Sequence, residues 1–402
     1  MMDKTEILVV GGGIAGISAA VGAARYDRQV TLVEKDSYLG GLATGGCVLF
    51  WQGFGPRGSD VWGGLSLEII EHLRKLNGVR FTESNGYYHA IVDPELLKYV
   101  CQELVLDNGV KLIQNMMAVQ VEKKVGDLID TVIFESKSGP KNIRAKIIID
   151  ATGDGNVIAW SGDSFNLSSL PISFSWNFGG IDIESLGEGF LTFQQKFQEF
   201  ALDLGRVDDL VLTPMKDTLW CNGTYFEDLD PFNPEDITFV ECQGRDRAVM
   251  LLQMLRKNIP ECKNAFLFQT STTIGVRTSL LLNGQHCLTI DEAESKTQFF
   301  DSIGLIWGMD SKNKSLIFQV PYRALLSNNI RNLLAAGRCI SVTPAQGEFG
   351  GILENIRQIP ACIVTGQGAG CAAAVAIEEG IWPSEISRIK LKEKLIEQNV
   401  RI

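Results

Sequence analysis

Apolar residues enter this chain as short unbroken runs punctuated by glycine. Ile7-Leu8-Val9-Val10 is apolar at every position, the pattern of a strand buried on both faces of a parallel sheet. Ile17 to Ala24 follows with small or apolar side chains all round and predicts an enclosed helix, and Gln29 to Val33 predicts a second strand. Between the first strand and the helix lies Gly11-Gly12-Gly13-Ile14-Ala15-Gly16. Gly11, Gly13 and Gly16 fall where a tight turn, close approach to a pyrophosphate and close helix–strand packing each exclude a side chain. The helix N-terminus then offers unpaired N–H groups to phosphate, and Glu34, ending the second strand, stands where a carboxylate accepts from a ribose hydroxyl. This unit, residues 1 to about 48, predicts a dinucleotide site.

The strand-to-glycine design recurs. Ala145 to Ile149 runs into Asp150-Ala151-Thr152-Gly153-Asp154-Gly155, and Leu333 to Ala336 runs into Gly337-Arg338. Such turns belong where the carboxyl ends of parallel strands meet a ligand. A second glycine stretch, Leu39-Gly40-Gly41-Leu42-Ala43-Thr44-Gly45-Gly46, is more than a simple nicotinamide site needs. Elsewhere the pattern predicts a helix over Asp93 to Leu106, capped by Asp93 with Pro94 in its first turn, and strands at Lys111–Val121, Thr131–Glu135 and Ile143–Ile149. An aromatic-rich strand, Ile172–Phe178, and an amphipathic helix with Ala248, Leu251, Leu252 and Leu255 on one face come next. A helix from about Ala361 to Glu378 opens on Pro360-Ala361-Cys362-Ile363, and a charged helix spans Glu385 to Gln398. The fold class expected is α/β: a Rossmann-like dinucleotide-binding domain with a parallel sheet and an inserted α+β substrate domain. The expected boundaries are 1–167 and 328–384 for the two parts of the first domain, 168–327 for the insertion, and 385–402 for the C-terminal helix.

Length and composition narrow the class. A chain of 402 residues, 45% hydrophobic, can bury large cores. Its net charge of −11 opposes nucleic acid and anionic membranes as partners. Nine cysteines without a Cys-x-x-Cys pair and three scattered histidines, His72, His89 and His286, match no common zinc or cluster spacing, so no metal is expected. The 18 uncharged residues from Ile7 to Ala24 contain five glycines and lack a basic segment before them. That reading, with no other uncharged apolar run taken to approach membrane length, gives the expectation of no membrane span and a cytoplasmic protein.

Seven stretches together carry a family likeness: VVGGGIAGISAA, LVEKDSYLGGLAT, IIIDATGDG, GVRTSLLLNG, VPYRALL, NLLAAGRCIS and RQIPACIVTGQGAGCAAAVA. In that order they resemble the FAD-dependent oxidoreductases related to fumarate reductase flavoprotein subunits, although residues 165–265 match only loosely. The resemblance implies FAD as cofactor. Gly11, Gly13, Ile14, Ala15 and Gly16 would hold the pyrophosphate, Glu34 with Lys35 the adenosine ribose, and the backbone near Val119 the adenine. Gly40, Gly41, Leu42, Ala43 and Thr44 would lie beside the flavin, with Ala151, Thr152, Gly153, Asp154, Gly337 and Arg338 flanking the phosphates and ribityl chain. The helix tip at Pro360, Ala361 and Cys362 would face the flavin's N1–C2=O edge, where its dipole stabilises negative charge.

FAD carries the redox step itself, so the protein's tasks are to orient a substrate and manage a proton. Arg277, Arg357 and Arg323 sit in family-like motifs, and a guanidinium fork can bind a carboxylate. Arg277 and Arg357 are the candidates for substrate contact, each balanced by a structural ion-pair reading, which is favoured for Arg323. Tyr322 is a candidate acid. The loop Gly45 to Asp60, with Cys47, Trp51, Gln52, Phe54 and Arg57, is expected to line a pocket suited to an apolar or ring-bearing substrate. Cys47 and His89 read as packed side chains, and Asp154 as a phosphate-loop residue. Where relatives often carry a His after the Gly-Arg turn, this chain has Thr343-Pro344-Ala345, so no base is identified.

The function expected is hydride transfer between a small organic molecule, carboxylate- or ring-bearing, and flavin N5. Two other classes stay open. One is a flavin electron-transfer subunit of a redox complex, since VVGGGIAGI, LVEK and LGG also resemble the flavin subunit of heterodisulfide reductases. The other is a flavoprotein that modifies RNA. A homo-oligomer or an electron-transfer partner is compatible with all of this.

Overall fold

A computed structural model describes residues 3–52, 63–84, 87–124, 126–186, 193–195, 197–199, 210–345 and 351–402. Strand β1 (Asp3–Val10) and β2 (Val30–Val33) pair in parallel through helix α1 (Ile14–Ala24), with Ile7 opposite Val30 and Val10 opposite Val33. After the glycine loop come β3 (Phe50–Trp51), α2 (Gly64–Lys75), β4 (Val79–Ser84) and β5 (Tyr87–Val92), the strands forming a small antiparallel sheet in the order β3-β5-β4. Helix α3 (Pro94–Asp107) starts where expected, because the Asp93 carboxylate accepts from the N–H groups of Glu95 and Leu96.

The single strand expected over Lys111–Val121 is two strands. β6 (Lys111–Ile113) lies parallel to β2, Asn115 turns the chain at φ 58°, and β7 (Met116–Lys123) pairs antiparallel with β8 (Ile129–Ser136). β9 (Gly139–Asp150) pairs in parallel with β1 along one edge and is long enough to serve two partners along the other. Its first half pairs with β8, and its last three residues pair in parallel with β18 (Leu333–Ala335), the strand by which the chain returns to this sheet. The sheet order is β6-β2-β1-β9-β8-β7, with β18 added on β9.

Between β9 and β18 the chain builds separate sheets. β10 (Phe165–Leu167) pairs with β15 (Leu280–Leu282); β11 (Ile172–Gly179), β12 (Leu210–Leu212), β13 (Leu219–Phe226) and β14 (Phe266–Thr270) form a sheet ordered β12-β13-β11-β14. Helix α4 (Pro234–Asn258) covers one face of it, burying Ala248, Leu251, Leu252 and Leu255. A Cβ on Gly244 of that helix would stand 2.3 Å from the Phe174 ring, so backbone and ring are in direct contact. A hairpin, β16 (Ser302–Met309) and β17 (Ser315–Pro321), precedes β18.

Helix α5 (Ile359–Glu379) is the mate of α1. Its glycines let the two backbones touch: a Cβ on Gly366 would lie 2.1 Å from the Ala15 carbonyl oxygen, and one on Gly370 2.1 Å from that of Ala19. α5 also corrects the expectation that no second apolar run approaches membrane length. It has the length and composition to cross a membrane, yet 89% of its apolar stretch is buried inside this fold. The last helix, α6 (Arg388–Glu397), begins three residues later than expected because Ser387 caps it, and it buries Leu391 and Leu395.

Candidate active site

Each glycine in the opening turn has its own physical cause. Gly11 is left-handed at φ +104°, and a Cβ there would lie 2.5 Å from the Ala151 carbonyl oxygen; a Cβ on Gly16 would lie 1.8 Å from that of Gly11. These two are demanded by the protein itself. Gly13 is different, since a Cβ there would meet nothing within 4 Å. It precedes the first turn of α1, which has no side-chain cap. A bare glycine beside uncapped N–H groups is what a bound pyrophosphate requires.

Glu34 is buried at the end of β2, accepting from the Gly12 N–H with one oxygen and from the Asp36 N–H with the other at 2.8 Å. Burial pushes its pKa up, against the pull of those two bonds. Lys35 pairs with Asp36 at 2.9 Å. Val119 is the extra residue in a bulge of β7, falling between the pairs Ala118–Phe134 and Gln120–Ile133. Its backbone is therefore available to a ligand edge.

The second glycine loop rests on the first. Gly40 N–H donates to the Gly12 carbonyl at 2.9 Å, and a Cβ on Gly41 would stand 3.0 Å from Gly13 Cα. Gly41, Leu42 and Ala43 form one turn of tight helix, and the Thr44 hydroxyl ties back to the Leu39 carbonyl at 2.8 Å. On the opposite side Asp150, wholly buried, fixes the next turn by accepting from the Thr152 N–H, the Thr152 hydroxyl and the Ile158 N–H. Gly153 lies under the Arg338 guanidinium, which pairs with Asp154 at 3.1 Å; the Ser279 hydroxyl also donates to Asp154, at 2.9 Å. Arg338 Nε is buried and has no partner among the described residues. Gly337 N–H donates to the Thr365 hydroxyl oxygen of α5, and a Cβ on Gly337 would stand 3.0 Å from Ala15 Cβ and 3.9 Å from Cys362 Sγ. Pro360, Ala361 and Cys362 form the first turn of α5, which starts at Ile359, two residues ahead of expectation, behind Gln358, whose side chain caps nothing.

Thus the tips of α1 and α5, the Gly40–Thr44 turn and the Gly153–Asp154 and Gly337–Arg338 turns converge. Gly13, the uncapped helix ends and the orphaned Arg338 Nε are features the protein's own packing does not explain, and FAD fits all three. The pyrophosphate could lie at Gly11–Gly16, the ribose at Glu34, and the flavin end between Gly40–Thr44 and Pro360–Cys362.

The sheet containing β11 and β13 turns its other face toward this cleft. On β11, Phe174, Trp176 and Phe178 join the core beneath α4, so the alternate residues Ser173, Ser175 and Asn177 point the other way. A bulge at Asn222 and Gly223, which together oppose Ser175, brings Trp220 and Tyr225 to that same face although they are five residues apart. Trp220 Nε1 donates to the Cys47 carbonyl at 2.6 Å, and the Ser271 hydroxyl lies 3.1 Å from the Gly46 carbonyl, so the sheet is bonded to the loop beside the flavin end. Arg277 lies over the Tyr225 ring at 4.3 Å, and Arg357 feels the same phenol electrostatically while pairing with Glu354. Tyr225 thus touches Arg277 and lies within electrostatic range of Arg357.

Tyr322 is a correction. It is completely buried, its hydroxyl donates to the Pro383 carbonyl at 2.9 Å, and Arg388 covers its ring; it ties the β16–β17 hairpin to the C-terminal segment. Burial drives its pKa upward, so no acid role follows. Arg323 pairs with Asp301 at 2.9 Å. Cys47 is buried, and its thiol is pushed up to about 12. Trp51 is buried, while Phe54 and Arg57 lie outside the described residues.

Sequence reasoning picked out Arg277 but missed the anchors on either side of it, Ser271 to Thr273 and Ser279. Thr272 N–H donates to the Gly45 carbonyl at 2.8 Å, Tyr38 bonds the hydroxyls of Thr272 and Thr273, and Ser279 reaches Asp154, so the segment spans the cleft lengthwise. The Ser-Thr-Thr run ahead of Gly275 was the available signal.

Fold and site together define a flavoenzyme of the dinucleotide-binding α/β class. The family model described as FAD dependent oxidoreductase matches residues 6–169 and 191–395, and the chain belongs to that family; it is an enzyme, and FAD is its cofactor. Dihydrolipoyl dehydrogenase of Bacillus subtilis (strain 168) is 26% identical over 194 residues, a match spanning 44% of this chain and only 39% of that relative. Two solved structures share the fold. A geranylgeranyl bacteriochlorophyll reductase-like protein from Thermoplasma acidophilum superposes with a TM-score of 0.54 at 16% identity, covering 99% of this chain and 84% of that one. The p-nitrophenol 4-monooxygenase PnpA from Pseudomonas putida DLL-E4 gives 0.53 at 13% identity, covering 99% and 85%.

Proposed function

We propose that this chain oxidises or reduces a small, ring-bearing organic acid by hydride transfer, within a lineage related to the fumarate reductase flavoproteins. The observation that carries this reading is the pair of arginines about Tyr225, Arg277 over its ring and Arg357 within its electrostatic range, on the sheet face bonded through Trp220 and Ser271 to the Gly45–Cys47 loop. When bound, FAD supplies a two-electron acceptor that takes hydride at N5.

The chain's own residues do the rest. Arg277, whose guanidinium carbon lies 4.3 Å from the centre of the Tyr225 ring, carries the planar fork that suits a carboxylate. Glu354 fixes the direction of Arg357 through two N–H bonds. Trp220, on the same sheet face as Tyr225 and stacked with Phe50, offers an apolar surface to a bound ring. The uncapped first turn of α5 favours negative charge on whatever lies against it.

Anaerobic bleaching of the FAD-loaded protein by a panel of small acids, alcohols, steroids and aromatics tests the reading, with air reoxidation afterwards to report the acceptor. Ring-bearing carboxylates are expected to bleach the flavin. Protein that takes up no flavin on reconstitution, or that is bleached only by uncharged aliphatic compounds, contradicts it.

A further inference from the structure

Among the described residues, the acidic and thiol side chains of the site are not free to take a proton. Among the described carboxylates and thiols around the cofactor pieces, each is committed: Glu34 to Gly12 and Asp36, Asp150 to Thr152 and Ile158, Asp154 to Arg338 and Ser279, Glu354 to Arg357. Burial holds the thiols of Cys47 and Cys362 protonated, with values of about 12 and about 11. A histidine on β5 is a further titratable side chain among the described residues.

His89 lies on β5 and is 6% exposed, with its Nδ1 buried and unpartnered among the described residues. Its ring is flanked by Phe50 at 4.9 Å and by the edge of Trp307 at 6.1 Å. Phe50 in turn stacks on Trp220 at 6.3 Å with planes 6° apart, and Trp220 is bonded to Cys47; Trp307 lines a small cavity with Pro360 and Ala361. His89 therefore sits in the ring cluster that spans from the glycine loop to the tip of α5. A buried imidazole nitrogen without a partner is costly unless something fills it.

We propose that His89 is the catalytic base of this site, its Nδ1 accepting the proton of a hydroxyl carried next to the ring of the substrate. The inference rests on the hydride-transfer reading above. As the carbinol C–H bond breaks, its electron pair leaves with the hydrogen as hydride to the flavin. The O–H bond breaks in the same conversion, its electron pair forming the new C=O bond and its proton going to Nδ1. The alcohol becomes a carbonyl compound, the flavin gains two electrons, and the imidazolium later releases its proton to solvent. Thr82 opposite His89 on β4, Phe50 and Trp307 are uncharged, and Arg80, diagonal to it on β4, is exposed. Burial alone acts on the imidazole and lowers its pKa below the ordinary 6.5, which keeps it neutral and able to accept at pH 7.

The test is nitrogen NMR of FAD-loaded protein labelled with 15N-histidine, in which H89Q identifies one of three resonance pairs and benzyl alcohol serves as probe. His89 is expected to show an unprotonated Nδ1 at pH 7, to titrate below 6.5, and to shift on adding benzyl alcohol while His72 and His286 stay put. With the best bleaching substrate, H89N is expected to slow flavin reduction roughly 10²- to 10⁴-fold and to lose the acidic limb of the pH profile, with FAD affinity and KM within about threefold of wild type. A protonated Nδ1 at pH 7, a His89 resonance indifferent to the probe, or H89N that reduces flavin at the wild-type rate overturns the proposal. A protein without flavin fails the function reading itself, whereas a flavin-loaded protein whose His89 ignores the probe fails only this inference.

Discussion

The Trp220 indole N–H meets the Cys47 carbonyl oxygen at 2.6 Å, and that contact couples the sheet carrying Tyr225 to the glycine loop beside the flavin end. Replacing Trp220 with Phe keeps a ring against Phe50 and removes the donor, leaving a buried carbonyl unsatisfied. W220F is expected to lose about 1–2 kcal/mol in urea unfolding of the holoprotein and to raise KM more than it lowers kcat. An unchanged midpoint and unchanged KM would mean that the loop holds its place without the sheet.

Gly13 and Gly16 should respond in opposite ways to the same substitution. G16A forces a methyl into the Gly11 carbonyl and is expected to destabilise the apoprotein by at least about 3 kcal/mol. G13A meets no protein atom within 4 Å and should leave apoprotein stability within about 0.5 kcal/mol. Its effect should appear in FAD binding, weakened tenfold or more, about 1.4 kcal/mol. Flavin fluorescence titration beside apoprotein melts separates the two.

Arg277 on Tyr225 predicts a difference between arginine and lysine. R277K keeps the charge and loses the planar fork and its stacking, so kcat/KM for a carboxylate-bearing substrate should fall ten- to hundredfold, about 1.4–2.8 kcal/mol. Steady-state kinetics with the acid and its methyl ester checks this, because the ester should be almost indifferent to the change.

The buried thiols give the fold an alkaline limit. Cys101 and Cys371 are wholly buried, with thiols pushed up to about 12, above the ordinary value of 9.0. The folded pKa is the higher one, so the stability they contribute is fully present below pH 9 and is lost as pH rises from 9 toward 12, at up to about 1.4 kcal/mol per pH unit for each thiol. Urea midpoints should be level from pH 7 to 8 and fall between 9 and 10.5. Alkylation of native protein at pH 8 should mark the exposed Cys242 and Cys287 ahead of the seven buried thiols, which mass spectrometry can read.

What the sequence made legible was whatever the backbone alone compels. Gly11, Gly16, Gly40 and Gly153 occupy left-handed or sterically closed positions, so their spacing reports their geometry directly. The Lys111–Val121 strand was misread because Asn115 can adopt a left-handed turn that apolar periodicity does not register. Tyr322 looked chemical because its motif lies near arginines, while its burial depends on Pro383 and Arg388, some 60 residues away in the chain. Ser271 to Thr273 and Ser279 escaped, and His89 was read only as a packed side chain, for the same reason. Their importance comes from partners on other strands, Gly45, Asp154, Phe50 and Trp307, that no local pattern announces.

The bulge at Asn222 and Gly223 acts as a frameshift in the alternation of β13. Two residues stand against one, and Gly223 has no room for a side chain, its Cβ falling 1.7 Å from the Phe174 carbonyl. Deleting either residue would restore plain alternation and leave Tyr225 four places from Trp220 on the same face, whereas straightening the bulge with the count unchanged would rotate Tyr225 beneath α4 and expel Phe226 into the cleft. The cradle of Arg277 thus depends on two residues sharing one place in the ladder, and a single deletion there should be tolerated where a single insertion elsewhere in the strand is not.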